Sequence, residues 1–282
     1  MQFDKWYFDF QNEQAFGYYY VGFLRFLGLC LNFTEIHYTS PEDSHLFYHT
    51  GLGCKKSMRS VQTSNARILF ENNRTDLILS YKSKILKGIW ENPSFSLPQV
   101  KRPVYKNNDG FCLWKVWTPY ADVEITDDKE TIIGKGYIDF VRLTIPFWNL
   151  PFQVVHWGRL FSEDDWILFF HLQTKERQIN YFADKSGWCN GNGLEVSRDT
   201  NNHIQSFLWS VNDDSLVCNL VQVLQKDAVL SESRMFRIPD RIRNKMSSYG
   251  MEEKFQVEGF FRNKKYKGIM EEVRWNEYRD DR

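Results

Sequence analysis

The sequence predicts an all-β protein. Short runs of β-branched and aromatic residues, set apart by polar turns, recur along the whole of its 282 residues. Tyr18–Phe26 and Trp166–Leu172 are such runs, and Gln11–Gln14 and Asp127–Glu130 are such turns. No period of repetition is visible, which argues against a propeller and for sandwiches or barrels.

Taken in order, strands are expected over 5–10, 18–26 and 29–38, then a turn at Ser40–Ser44 and a loop over 46–62. Alternating segments follow at 65–71, 76–82 and 84–90. A three-proline loop spans Asn92–Val104, and strands resume at 111–117 and 119–125. The stretch Gly134–Arg159 organises the chain: two glycines, an alternating run from Tyr137 to Ile145, an aromatic turn between Pro146 and Pro151, and a run ending His156-Trp-Gly-Arg159. Further strands are expected at 166–172, 178–184, 193–198, 204–211 and 215–224. Pro239 and Gly250 punctuate one short helix over 239–249, and residues 253–261 and 264–275 make a hairpin over Arg262-Asn263.

Composition narrows the function classes. Lys plus Arg and Asp plus Glu number 36 each, so there is no electrostatic footprint for nucleic acid. No apolar stretch reaches the roughly 20 residues of a membrane helix, and the first residues lack the pattern of a secretory signal. The five cysteines form no C-x-x-C and no disulfide framework, which fits a reducing, cytoplasmic setting. No metal site has recognisable spacing; His37, His45 and His49 read as part of a solvated loop. No phosphate loop, dinucleotide fingerprint or G-x-S-x-G elbow is present, so no cofactor is expected. Aromatic residues make up 17%, enough to pack a core and line an apolar cavity.

The strongest chemical signal is one acid and one imidazole on apolar faces. Asp139 shares its face with Tyr137, Val141, Leu143 and Ile145, and His156 shares its own with Phe152, Val154 and Leu160. Asp139 reads as a general acid with its pKa raised by desolvation, or as a structural carboxyl on backbone N–H groups. His156 reads as its orienting or proton-transferring partner, or as a core histidine. Glu271, with Ile269, Val273 and Trp275, is a second candidate acid, or the partner of an interior arginine such as Arg25. Trp157 and Arg159 share the face opposite His156; they are candidates for contact with substrate, as are Tyr137, His171 and Trp148, or else they are packing residues.

Three segments also carry a family resemblance. Lys5-Trp-Tyr-Phe-Asp-Phe10 with Gly17 and its aromatic strand, Gly134-Lys-Gly-Tyr-Ile-Asp139 with the following Pro-Phe-Trp turn and His156-Trp-Gly-Arg159, and Tyr266-Lys-Gly-Ile-Met-Glu271 resemble, in order, the carotenoid hydratase (hydroxyneurosporene synthase) and AttH-like group. The resemblance implies two lipocalin-like (calycin) β-barrel domains in tandem, here placed at 1–133 and 134–282, an apolar ligand, and in several members chemistry on polyenes. Many members carry His directly after the motif Asp. Here that residue is Phe140, which puts any mechanism needing that His in doubt. Gly88-Ile-Trp90 also has the lipocalin G-x-W form.

Two functions follow as expectations. One is a cofactor-independent enzyme that hydrates, cyclises or isomerises an isoprenoid or polyene by acid–base chemistry in an aromatic cavity. The other is a lipocalin-like carrier of an apolar small molecule. The sequence leaves the ligand and oligomeric state open.

Overall fold

The computed structural model describes residues 1–39, 44–82, 84–91, 103–128, 130–189, 191–228 and 251–275. The turn expected at Ser40–Ser44 and the loop at Asn92–Val104 lie largely outside these residues, and the helix expected over 239–249 lies wholly outside them. Among the described residues the structure is antiparallel β apart from one 3-10 turn, Phe147–Asn149. No helix there is long and apolar enough to cross a membrane.

The chain forms two compact units, Met1–Pro146 and Phe147–Arg282. In the first, twelve strands make one sheet: β1 (Gln2–Gln11), β2 (Phe16–Phe26), β3 (Leu29–Thr39), β4 (Ser44–Leu52), β5 (Lys55–Lys56), β6 (Ser60–Gln62), β7 (Ala66–Phe70), β8 (Arg74–Tyr81), β9 (Lys84–Glu91), β10 (Tyr105–Asn107), β11 (Gly110–Thr126) and β12 (Thr131–Leu143). The order runs β4-β3-β2-β1-β12-β11-β9-β8-β7-β6-β5, with β10 on β11. The sheet curls on itself. Phe47 of edge strand β4 meets Tyr81 of β8 at 5.4 Å, and Trp6 of β1 meets Phe70 of β7 at 6.4 Å. Its concave face holds Trp6, Phe8, Phe10, Tyr19, Val21, Ile68, Leu77, Trp90, Val123, Ile138 and Phe140.

The sequence expectation begins the second domain at Gly134; the structure places β12 inside the first sheet, between β1 and β11. The two glycines that open the stretch answer to close approach rather than to a chain break. A Cβ on Gly134 would lie 2.6 Å from Gln11 O, and one on Gly136 would lie 2.2 Å from Asp9 O and 2.7 Å from Trp90 Nε1. That indole donates to Asp9 O at 2.8 Å, so the G-x-W tryptophan crosses where Gly136 makes room. The loop expected over 46–62 is strand in β4, β5 and β6. The two strands expected around Pro119 are one, β11, kept continuous by irregularities between Val116 and Ala121.

The second unit is a nine-stranded sheet: β13 (Phe152–Phe161), β14 (Trp166–Thr174), β15 (Gln178–Asp184), β16 (Gly187–Cys189), β17 (Gly193–Arg198), β18 (Ile204–Val211), β19 (Asp214–Ala228), β20 (Met251–Phe261) and β21 (Lys264–Arg274). Its order is β16-β15-β14-β13-β21-β20-β19-β18-β17. The final hairpin turns at Arg262 and Asn263, both with positive φ (47° and 62°), as a two-residue turn of this hand requires. Leu160, Ile167, Phe169, Phe182, Phe207, Trp209, Phe255, Val257 and Met270 fill its interior. All-β architecture in two lipocalin-like domains is therefore the fold of this chain.

Candidate active site

The second unit carries a polar row among its apolar interior. Strand pairing sets Asn180, His171, His156 and Glu272 opposite one another on β15, β14, β13 and β21. Because neighbouring strands stand about 4.8 Å apart, side chains at such positions meet across one face. This face is the interior one, since Leu160, Phe169 and Met270 share its parity and its core. His156 and Glu272 are 5% and 1% exposed.

His156 Nε2 lies 2.6 Å from Glu272 Oε2. The same oxygen accepts from Arg198 Nη2 at 2.5 Å, and Oε1 faces Arg274 Nε at 2.5 Å. Arg198 sits on edge strand β17, four positions from β21 in the sheet, and reaches Glu272 because the sheet curls. The two arginines are partly exposed and lie near the ends of their strands, so the row marks one end of the interior.

Electrostatics set the roles. Burial pushes the Glu272 carboxyl up, but the His156 hydrogen bond and the charges of His156, Arg274 and Arg198 outweigh it and hold it below its ordinary value of 4.5. The two guanidiniums are permanent charges, so Glu272 is ionised whether or not the ring carries a proton. Burial lowers His156 below its ordinary 6.5, and the Glu272 contacts offset only part of that. The neutral ring then donates Nε2–H to the carboxylate, which leaves Nδ1 as the nitrogen with a lone pair. Nδ1 is buried and has no hydrogen-bond partner among the described residues. His171 stands beside it, ring centroids 5.4 Å apart, with its Nδ1 2.6 Å from Asn180 Oδ1. Burial lowers His171 as well. Phe207 and Trp209 complete the wall, at 6.0 Å from the His156 ring and 6.3 Å from the His171 ring.

The first unit holds a second constellation. Asp139 is 4% exposed. Its Oδ2 accepts from Trp114 Nε1 at 2.9 Å and from Tyr137 OH at 3.0 Å. Asp139 leaves bulk water and gains partners, as its face predicts, but that face is not the concave one. Ile138 and Phe140, of the opposite parity, pack in the core cluster. Both faces of β12 are buried, so alternation alone could not say which is concave. Pairing lines Asp139 with Tyr7, Tyr20 and Glu35, and Tyr137 with Asp9, Tyr18 and His37. The rings of Tyr7 and Tyr20 lie 5.3 Å apart, and Tyr18 OH lies 2.8 Å from His37 Nδ1. This face combines buried tyrosines with the buried carboxyls Asp9, Glu35 and Asp139.

Two sequence expectations are corrected. The carboxylate that holds His156 is Glu272, on the other strand of its own sheet, and not Asp139. Glu271 points to the opposite face of β21, where the fully buried Lys254 takes it at 3.2 Å and also pairs with Glu252. Trp148 lies in the 3-10 turn and is about half exposed. Trp157 and Arg159 lie together on the face away from His156; Arg159 is fully buried, with its guanidinium 4.4 Å from the Phe161 ring centre. His171 lies beside His156 and Tyr137 beside Asp139, so the fold brings these two predicted residues to the predicted base and acid. Glu272, Arg198, Arg274, Asn180, Asp9 and Glu35 were missed. For Glu272 the available signal was its parity with Tyr266 and Met270. Among the described residues no group of three or more His, Cys, Asp or Glu side chains could hold a metal ion.

No family model matches the chain, and no curated protein matches it by sequence. Solved structures do match. An AttH-type protein of Nitrosomonas europaea aligns over 97% of this chain and 92% of its own, with a TM-score of 0.66 at 12% identity. CghA aligns over 97% and 88%, with a TM-score of 0.61 at 9% identity. Kievitone hydratase of Nectria haematococca aligns over 96% and 89%, with a TM-score of 0.59 at 9% identity. At these identities the likeness is one of fold, and it extends over nearly the whole of each chain. The chain has the AttH-like, carotenoid-hydratase-type fold of tandem lipocalin-like domains.

Proposed function

We propose that this protein is an enzyme that moves protons on an apolar small molecule, hydrating, cyclising or isomerising an isoprenoid- or polyene-type substrate without a bound cofactor. The observation that carries the reading is the buried His156 ring, held by ionised Glu272 through Nε2, with Nδ1 unpartnered among the described residues. A carboxylate-oriented neutral imidazole is built to accept a proton and return it. Leaving a buried ring nitrogen without a partner has a cost, and a base that meets its partner only when substrate binds accounts for it.

Asp139 is the second proton carrier in this reading. Its Oδ2 accepts from Tyr137 OH and Trp114 Nε1, which orient the buried carboxyl. Aromatic walls of the kind found at Phe207 and Trp209 suit an apolar substrate and stabilise positive charge developing on it. A hydratase, kievitone hydratase, is built on the same fold, which supports the reaction class. His171 and Tyr137 stand nearest the two proton carriers as substrate contacts; Trp157, Arg159 and Trp148 have less to recommend them. Five free thiols fit a cytoplasmic setting. The carrier alternative draws on Glu271, whose locked ion pair with Lys254 is what a binding protein would do with a buried carboxylate.

The test is incubation of the protein in D2O with a panel of polyenes, isoprenoids and prenylated phenols, read by mass spectrometry. Enzyme action incorporates solvent deuterium or water into a product, and His156→Gln abolishes it. Compounds that bind, seen by quenching of tryptophan fluorescence, yet emerge unlabelled would favour the carrier.

A further inference from the structure

A further chemical feature lies in the first unit, where β2 turns into β3. The turn at Leu27 and Gly28 sets Arg25 directly opposite Cys30 across β2 and β3. Strand β4 returns along β3, and just past its end Gly53 adopts φ 77°, a conformation that favours glycine. The bend is tied on both sides: Gly53 N donates to Cys30 O at 2.7 Å, and Gly53 O accepts from Asn32 Nδ2 at 2.6 Å. The next residue is Cys54, and its Sγ is thereby placed 3.2 Å from Cys30 Sγ. Arg25 Nη2 lies 3.5 Å from Cys54 Sγ. Both cysteines are partly exposed, whereas Cys112 and Cys218 are buried.

We propose that Cys30 and Cys54 are a peroxide-oxidisable dithiol that closes reversibly into a disulfide. The sulfurs need to approach by only about 1 Å to reach bonding distance, and the two partners sit on neighbouring backbone segments already hydrogen-bonded to each other. The Arg25 guanidinium lies against Cys54 Sγ, which makes Cys54 the attacking sulfur. The thiolate attacks one oxygen of hydrogen peroxide, forming an S–O bond and breaking the O–O bond. The departing hydroxide takes a proton and leaves as water, with a sulfenic acid on Cys54. Cys30 sulfur then displaces that hydroxyl as a second water and forms the S–S bond. Two electrons leave the thiols and reduce one peroxide. The link fastens the exit of edge strand β4 to the start of β3, its neighbour in the sheet.

The test is stoichiometric hydrogen peroxide on the intact protein, followed by alkylation under denaturing conditions and peptide mapping. The expected result is a crosslinked pair of peptides containing Cys30 and Cys54, lighter by about 2 Da than the two thiol peptides together, with Cys112 and Cys218 still alkylated. Dithiothreitol restores both thiols, the oxidised form melts at a higher temperature, and Cys54→Ser gives no crosslink. Arg25→Gln slows closure. Both cysteines still fully alkylated after peroxide, or oxidised singly to sulfinic acid without a crosslink, would overturn the proposal; closure at an unchanged rate in Arg25→Gln would overturn the role of Cys54 as attacking thiolate.

Discussion

His156 and Glu272 lie on adjacent strands of the second unit, 2.6 Å apart from Nε2 to Oε2, and both are buried. Glu272 is also the meeting point of Arg198 and Arg274, so one carboxylate orders an imidazole and is shared by two guanidiniums.

Stability should fall on the acid side in two steps. His156 and His171 titrate below 6.5 when folded, so the unfolded chain binds protons first and stability drops as pH falls below 6.5 towards their folded values. Glu272 titrates below 4.5 when folded, and its contribution, present above 4.5, is lost as pH falls through its folded value. Both limbs have the same sign. Melting temperature followed against pH should decline through this range, and the upper limb should shrink in His156→Gln with His171→Gln. A flat profile would show that these groups are not held as described.

Glu272→Gln removes the charge that Arg198 and Arg274 share and leaves one amide oxygen for the donors that met two carboxylate oxygens. Breaking a buried pair from one side typically costs about 3–5 kcal/mol, because the remaining charge stays uncompensated. Chemical denaturation should show a loss of that order. Glu271→Gln acts on the opposite face, against Lys254, and should leave the titration of His156 unchanged.

Gly136→Ala should destabilise the first unit strongly. The added methyl meets a backbone carbonyl and the Trp90 indole, neither of which can swing aside, so the loss should sit at or above the upper end of the usual 1–3 kcal/mol or so for overpacking. Gly28→Ala, where nothing lies within 4 Å of the added methyl, pays only for its positive φ and serves as the control.

Asp139→Asn keeps an oxygen for Tyr137 and Trp114 and removes the transferable proton. On the proposed chemistry, turnover falls by about 10²–10⁴-fold while the melting temperature changes little. A large stability loss with a parallel loss of binding would mark Asp139 as structural.

The sequence carries the strand rhythm, the Arg262-Asn263 hairpin and the burial of Asp139 and His156, because alternation and turn chemistry are local. What it hides is long-range. Gly134 and Gly136 read as a beginning, yet their need for small size comes from Gln11 and Asp9, more than a hundred residues away in sequence. Choosing Glu271 over Glu272 is an error of one residue, and in a strand one residue flips the face. The apolar residues Ile269 and Val273 made the wrong face of β21 look like the interior, because both faces are buried. Arg198 reaches Glu272 only through the curl of the sheet, which no local pattern encodes.

The central claim is that His156 is a neutral, carboxylate-ordered base with Nδ1 available. Long-range nitrogen–proton NMR correlation on the labelled protein reads the tautomer of each histidine directly, with His156→Gln providing the assignment. At a pH of about 7 the predicted result is a neutral His156 ring protonated on Nε2, with Nδ1 in the unprotonated range. A ring protonated on Nδ1 alone, or an imidazolium at that pH, would contradict it.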